Sequence, residues 1–220
     1  MKAKLKTKNL PWILVLVGIM MLFSFSIASA ADTDESEPNS AHAAVYDLQQ
    51  SLIQVMREGE QLGFSGRVEF LSPVVNRTHD IELIIKTILG ATLWHELDPE
   101  QQNLIIETFR QLSIATYAGQ FKQYGGEQFK FIEQRDLPRE QKLVRSQLIK
   151  GDGGTVNFDY VLHKLEEQWL IINILFDGVS DLAIKRSEYR SIMQREGFQS
   201  LIDMLKIKIT EAEDGEESSQ

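Results

Sequence analysis

The 220-residue chain contains no cysteine. That excludes a disulfide framework, a thiolate metal site and a cysteine for lipid attachment, so the fold must rest on its apolar core. Basic charge is also short: 23 Lys and Arg stand against 32 Asp and Glu, for a formal net charge of −9. A nucleic-acid partner is not expected, because neutralising phosphates takes Lys and Arg. Tight adsorption to anionic lipid headgroups is disfavoured on the same ground. The histidines His42, His79, His95 and His163 show no His-x-x-x-His spacing, so no metal is expected. The pairs His79-Asp80 and His95-Glu96 are adjacent, and neighbouring residues do not share a helix face. Ser180 has no Gly-x-Ser-x-Gly context. Gly125-Gly126 and Gly151-Asp152-Gly153-Gly154 read as turns, not phosphate loops. No cofactor is implied.

What the chain does have begins at its start. Lys2, Lys4, Lys6 and Lys8 precede an uncharged apolar run over 10–27, and Ala28-Ser29-Ala30 offers small residues for cleavage after Ala30. This is the layout of a secretory signal peptide; the run is also just long enough for an uncleaved anchor. Removing thirty residues and four lysines leaves 190 residues and a charge of −13. A periplasmic location is the expectation. Residues 31–42 read as a flexible spacer, 43–209 as a single domain and 210–220 as a disordered acidic tail.

Within the domain, apolar spacing predicts helices over 43–62 and 80–89. Residues 65–73 read as a loop. Asp98-Pro99-Glu100-Gln101 is a helix start, with Asp as N-cap and Pro at the first helical position, and that helix is expected to run to Tyr124. The period then changes to two. Strands are predicted over 128–134, 142–150, 155–163 and 169–176, joined by short turns into an antiparallel meander. Helices resume over 181–196 and 198–209. The order gives an α+β fold, with helices before and after an antiparallel sheet of four or more strands.

The strand over 169–176 is apolar on both faces except at Asn173. Both faces should therefore be covered. A filled core and a hollow one share this pattern, and periodicity does not decide between them. Asp159 and His163 share one strand face. An acid–base enzyme with a desolvated Asp159 is thus one alternative function, and a solid-cored envelope assembly factor is another.

Trp169 opens the last long strand, followed by Asp177-Gly178-Val179-Ser180 and then Lys185-Arg186-Ser187-Glu188-Tyr189. This series resembles the MlaC-type family, whose pattern is Trp, a Gly-Val/Ile-Ser turn, then Tyr-Arg-Ser-Gln-Phe. Trp169, Gly178, Val179, Ser180, Arg186 and Ser187 match, and Tyr189 replaces the Phe. Upstream, Gly90, Trp94, Asp98-Pro99-Glu100-Gln101, Phe109 and Tyr117 follow the family order, as do Gly197, Leu201-Ile202 and Leu205 downstream. Asn173 stands where the family has Asp, Lys185 where it has Tyr, and Asp181 interrupts a Ser-Leu-Val run. These departures resemble the hopanoid-associated, HpnM-like branch.

The resemblance implies a non-enzymatic periplasmic carrier of a phospholipid or hopanoid-like lipid, also called a toluene-tolerance protein. Its implied partners are an inner-membrane ABC complex and an outer-membrane lipoprotein, and it implies a curved sheet with acyl chains inserted between sheet and helices. The candidate lining is then the strand faces Val156, Phe158, Tyr160, Leu162 and Leu170, Ile172, Ile174, Phe176, with Ile105, Phe109 and Leu112 from the helix.

Overall fold

The computed structural model describes residues 39–217; the expected leader and residues 31–38 of the expected spacer lie outside them, while Ala41 and His42 at the spacer's end are helical. Ser40 starts the first helix by accepting from the backbone N–H of Ala43 at 3.0 Å. Helix α1 (Ala41–Arg57) buries Val45, Leu48, Leu52, Val55 and Met56 on one stripe. It stops five residues before the expected end, and Glu58 leads directly into α2 (Gly59–Thr78). The expected loop over 65–73 is therefore helix. Pro73 lies inside it, and the chain kinks at Gly63, where φ is 60°. The helical signal was present as Arg67, Leu71, Val74, Val75 and Thr78, all buried at helical spacing. Arg67 obscures it, because a charged residue reads as surface. Its Nε donates to the carbonyl of Ala118 at 2.8 Å and its Nη1 to that of Gly59 at 3.0 Å.

Asp80 caps α3 (Ile81–Leu89) by accepting from the N–H of Leu83 at 2.8 Å, and a short α4 (Ala91–His95) follows Gly90. The start of α5 (Pro99–Gln120) is the one expected: Asp98 and Gln101 form a reciprocal capping box. This helix ends at Gln120, four residues short of the predicted end.

Five antiparallel strands follow in sequence order: β1 (Gln128–Leu137), β2 (Gln141–Ile149), β3 (Thr155–Leu165), β4 (Gln168–Phe176) and the short β5 (Val179–Ser180). At the β4–β5 turn Asp177 and Gly178 both have positive φ, 48° and 83°, as a tight hairpin of this type requires. Asp177 also accepts from the backbone and side-chain amides of Asn157 at 2.9 and 3.0 Å, so the turn is tied to β3.

One sheet face carries Phe129, Leu148, Val144, Phe158, Tyr160 and Leu162 and packs under α1; Tyr160 accepts from Gln49 of that helix at 3.3 Å. The opposite face is polar where Arg145 bridges Glu133 and Asp159. Strand β4 does not alternate evenly. Val161 pairs with Asn173 and Leu162 with Ile171, so Ile172 is an inserted bulge residue. Beyond it the parity flips. Ile171, fully buried, takes the inward position, and Leu170 pairs with His163 on the other face.

Two helices close the chain, α6 (Asp181–Glu196) with its expected bounds and α7 (Phe198–Glu217). The last is eight residues longer than predicted and passes through the acidic segment, held near its end by Lys122 Nζ donating to the carbonyl of Gly215 at 3.2 Å. Helix α5 packs on α2 and α7, and α6 on α3 and α7. Among the described residues the fold is α+β, seven helices with an open five-stranded antiparallel sheet.

Candidate functional site

An apolar cavity of about 110 Å³ lies between α3, α5, α6 and the β4 edge of the sheet. Ile81 and Ile84 come from α3, Phe109 and Leu112 from α5, Ile171 to Ile174 with Phe176 from β4, and Leu182 from α6. Local sequence places each wall. The capping box starts α5 so that Phe109, Leu112, Thr116 and Tyr117 recur on one face. The β4 bulge brings both Ile171 and Ile172 to the cavity. Ser180 caps α6 by accepting from the N–H of Ala183 at 3.1 Å, while its own hydroxyl donates to Asn173 Oδ1 at 3.1 Å, fixing the start of α6 against β4.

A wider groove of about 470 Å³ adjoins the cavity between α5, α6 and α7. The two share Leu112, Thr116, Gln120, Asp181 and Lys185. Charge gathers where the two meet and in the groove: Lys185 pairs with Asp181 at the shared boundary, and Lys208 with Glu188 at 3.1 Å in the groove. Ile184, 56% exposed, also lines the groove.

His79 and Tyr117 supply buried polar groups to the cavity. His79 Nε2 lies 3.0 Å from Tyr117 Oη, and Nδ1 lies 2.9 Å from Thr78 Oγ1. Burial lowers the His79 pKa to about 4, against a smaller opposing effect from the Val75 backbone. Burial likewise raises that of Tyr117 well above the ordinary phenol value.

Of the residues expected to line a cavity, the structure brings together Phe109, Leu112, Ile172, Ile174 and Phe176. Ile105 lies fully buried in the core outside this wall. Phe158, Tyr160 and Leu162 are filled core: Phe158 packs against Phe129, Tyr160 and Phe176 with ring centroids 5.6, 6.0 and 4.9 Å away. Val156 is half-buried beside them, and Leu170 faces away across the bulge. Ile171, Leu182, Tyr117 and His79 were not singled out as lining. Helical spacing from Phe109 points to Tyr117, whereas nothing local in the sequence marks His79.

The family-motif residues shape the frame. Trp169 is half-buried at the start of β4 with Lys142 Nζ 5.4 Å above its ring. Gly178 makes the turn, Val179 is exposed on β5, and Ser180 caps α6. Tyr189 is buried edge-on to Phe109 at 6.3 Å and joins α6 to α5. Arg186 has its Nε buried without a hydrogen-bond partner among the described residues. Asp159 does not face the cavity. Arg145 grips it through two bonds of 2.7 and 2.8 Å, while His163 meets Asp80 at 2.9 Å.

An apolar cavity walled by helices against an open sheet, with charged side chains where it meets an adjoining groove, has the form of a site for an apolar ligand. The chain belongs to the MlaC family: the family model, described as MlaC protein, matches residues 47–207. Among solved structures it is similar to a phospholipid-binding protein from Ralstonia solanacearum in complex with a phospholipid. The TM-score is 0.68 and the identity 20%, covering 78% of this chain and 98% of the other. No curated protein matches the chain.

Proposed function

We propose that the protein is a periplasmic lipid carrier that holds the hydrocarbon chains of a phospholipid-class or terpenoid lipid between α5, α6 and β4. On this reading it passes that lipid between the inner and outer membranes. The observation that carries this is the apolar cavity, in a chain of the MlaC family whose fold is similar to that of a protein solved with a bound phospholipid. At about 110 Å³ the cavity is below the roughly 300–1,000 Å³ of ordinary ligand pockets, so the walls must part to admit a chain. Of the helices walling the cavity, α6 buries the fewest side chains, Tyr189 alone, so it costs least to displace. Its ties to β4 through Ser180 and to α3 through Arg190 Nε on the carbonyl of Ile88 at 2.7 Å must then loosen.

Each methylene kept from water is worth about 0.8 kcal/mol, so a chain cannot cross the periplasm bare. Bilayer and cavity are both apolar, which makes the exchange between them reversible. The partners this requires are an inner-membrane ABC complex and an outer-membrane lipoprotein, and the acidic surface would steer encounter with basic docking faces.

Native mass spectrometry with organic extraction, on protein purified from its own periplasm, tests the reading. A lipid near one per chain is expected. A bare mass, together with no uptake from liposomes, would overturn it.

A further inference from the structure

The hydroxyl groups on the α5 wall have their protons already committed. Ser113 donates its hydroxyl to the carbonyl of Phe109 at 2.8 Å, and Thr116 to that of Leu112 at 2.7 Å. At Tyr117 the same result follows from a longer chain. Thr78 Oγ1 lies 2.7 Å from the carbonyl of Val74, and only the hydroxyl can donate there. Its oxygen must then accept from His79, which places the ring proton on Nδ1. His79 Nε2 is left as an acceptor, and Tyr117 donates to it. What Tyr117, Ser113 and Thr116 offer the cavity is therefore oxygen lone pairs without protons.

We propose that this wall selects a lipid bearing a hydroxyl within its hydrocarbon part, the ligand's O–H donating to Tyr117 Oη. A plain hydrocarbon leaves the lone pair unused. A keto group in the same place would set one acceptor against another. The inference rests on the lipid-carrier reading and names the kind of lipid it takes. A hydroxylated acyl chain and a polycyclic alcohol share this chemistry.

The test is competition for the protein from mixed vesicles, with bound lipid identified by native mass spectrometry. One arm uses a diacyl phosphatidylglycerol against counterparts carrying a hydroxyl or a keto group near the carboxyl end, at mid-chain or near the methyl end. A second arm uses a polycyclic terpene alcohol against its hydrocarbon. The expected result is about tenfold enrichment of the hydroxylated form over the keto form for at least one position or for the terpenoid, the order set by one net hydrogen bond. Tyr117→Phe should lower the hydroxyl-to-keto ratio severalfold, read as a ratio within the lipid that the variant does bind. Thr78→Val frees the His79 tautomer and should narrow the hydroxyl-to-keto ratio with Tyr117 still in place. Parity in the wild-type protein at every position, as when Tyr117 accepts from water, would overturn the proposal. Enrichment surviving in both variants would do the same. Uptake of no lipid at all would overturn the carrier reading itself.

Discussion

His79 gives the chain a calculable sensitivity to acid. Its pKa is about 4 in the folded protein, lowered by burial, against an ordinary value of 6.5. The unfolded chain thus takes up a proton near pH 6.5 that the folded protein refuses until about pH 4. Unfolding is favoured as pH falls through that window, and nothing is lost above it. The difference of 2.5 units corresponds to about 3 kcal/mol, reached in full below pH 4. His79→Asn keeps a polar side chain but removes the titration. Urea unfolding of both proteins at pH 7, 6, 5 and 4 isolates the effect, because carboxylates that titrate in the same range are common to both. The stability difference, wild type minus variant, should fall by about 3 kcal/mol between pH 7 and 4. Curves that run parallel would show that His79 titrates alike in both states, and the burial argument would fail.

Gly59→Ala should destabilise by about 1–3 kcal/mol or more in thermal or urea unfolding, since an added Cβ would sit 1.9 Å from the backbone oxygen of Lys122. Wild-type stability there would mean the α2–α5 junction yields easily. Ile174→Glu puts a carboxylate into the cavity wall and should abolish lipid retention by the folded protein; retention at the wild-type level would remove β4 from the binding wall.

Much of the architecture was legible because short-range chemistry fixed it. Asp98, Pro99 and Gln101 write a helix start in four residues, and Ser180 with Gly197 frames α6 between its observed ends. The strands were legible through their two-residue period, and the family through the Trp169 to Tyr189 series. Failure came where composition and spacing disagreed. Gly63, Gly66 and Pro73 have loop composition, yet the stripe from Arg67 to Thr78 is helical because the Arg67 guanidinium finds two backbone carbonyls inside. In the acidic segment after Ile209, low hydropathy suggested disorder, while contact with α5 keeps it helical to Glu217. The cavity was half legible. Phe109, Leu112, Ile172, Ile174 and Phe176 follow from face counting, but the Ile172 bulge reverses that count for Leu170 and Ile171. Whether Phe158 and Tyr160 line a void or fill one depends on the volume of residues far along the chain, which a local pattern does not carry.

Each strand pairs with its neighbour in sequence, whereas α1 rests on strands far downstream; Gln49 meets Tyr160 across a separation of 111 residues. A chain emerging with its amino end first would have α2 to pack against part of the stripe from Val45 to Met56, while the part that meets the sheet stays uncovered until the meander is complete. During that interval the first helix is a natural target for a holding chaperone. Closure of that helix over the sheet must wait until β4 has been made.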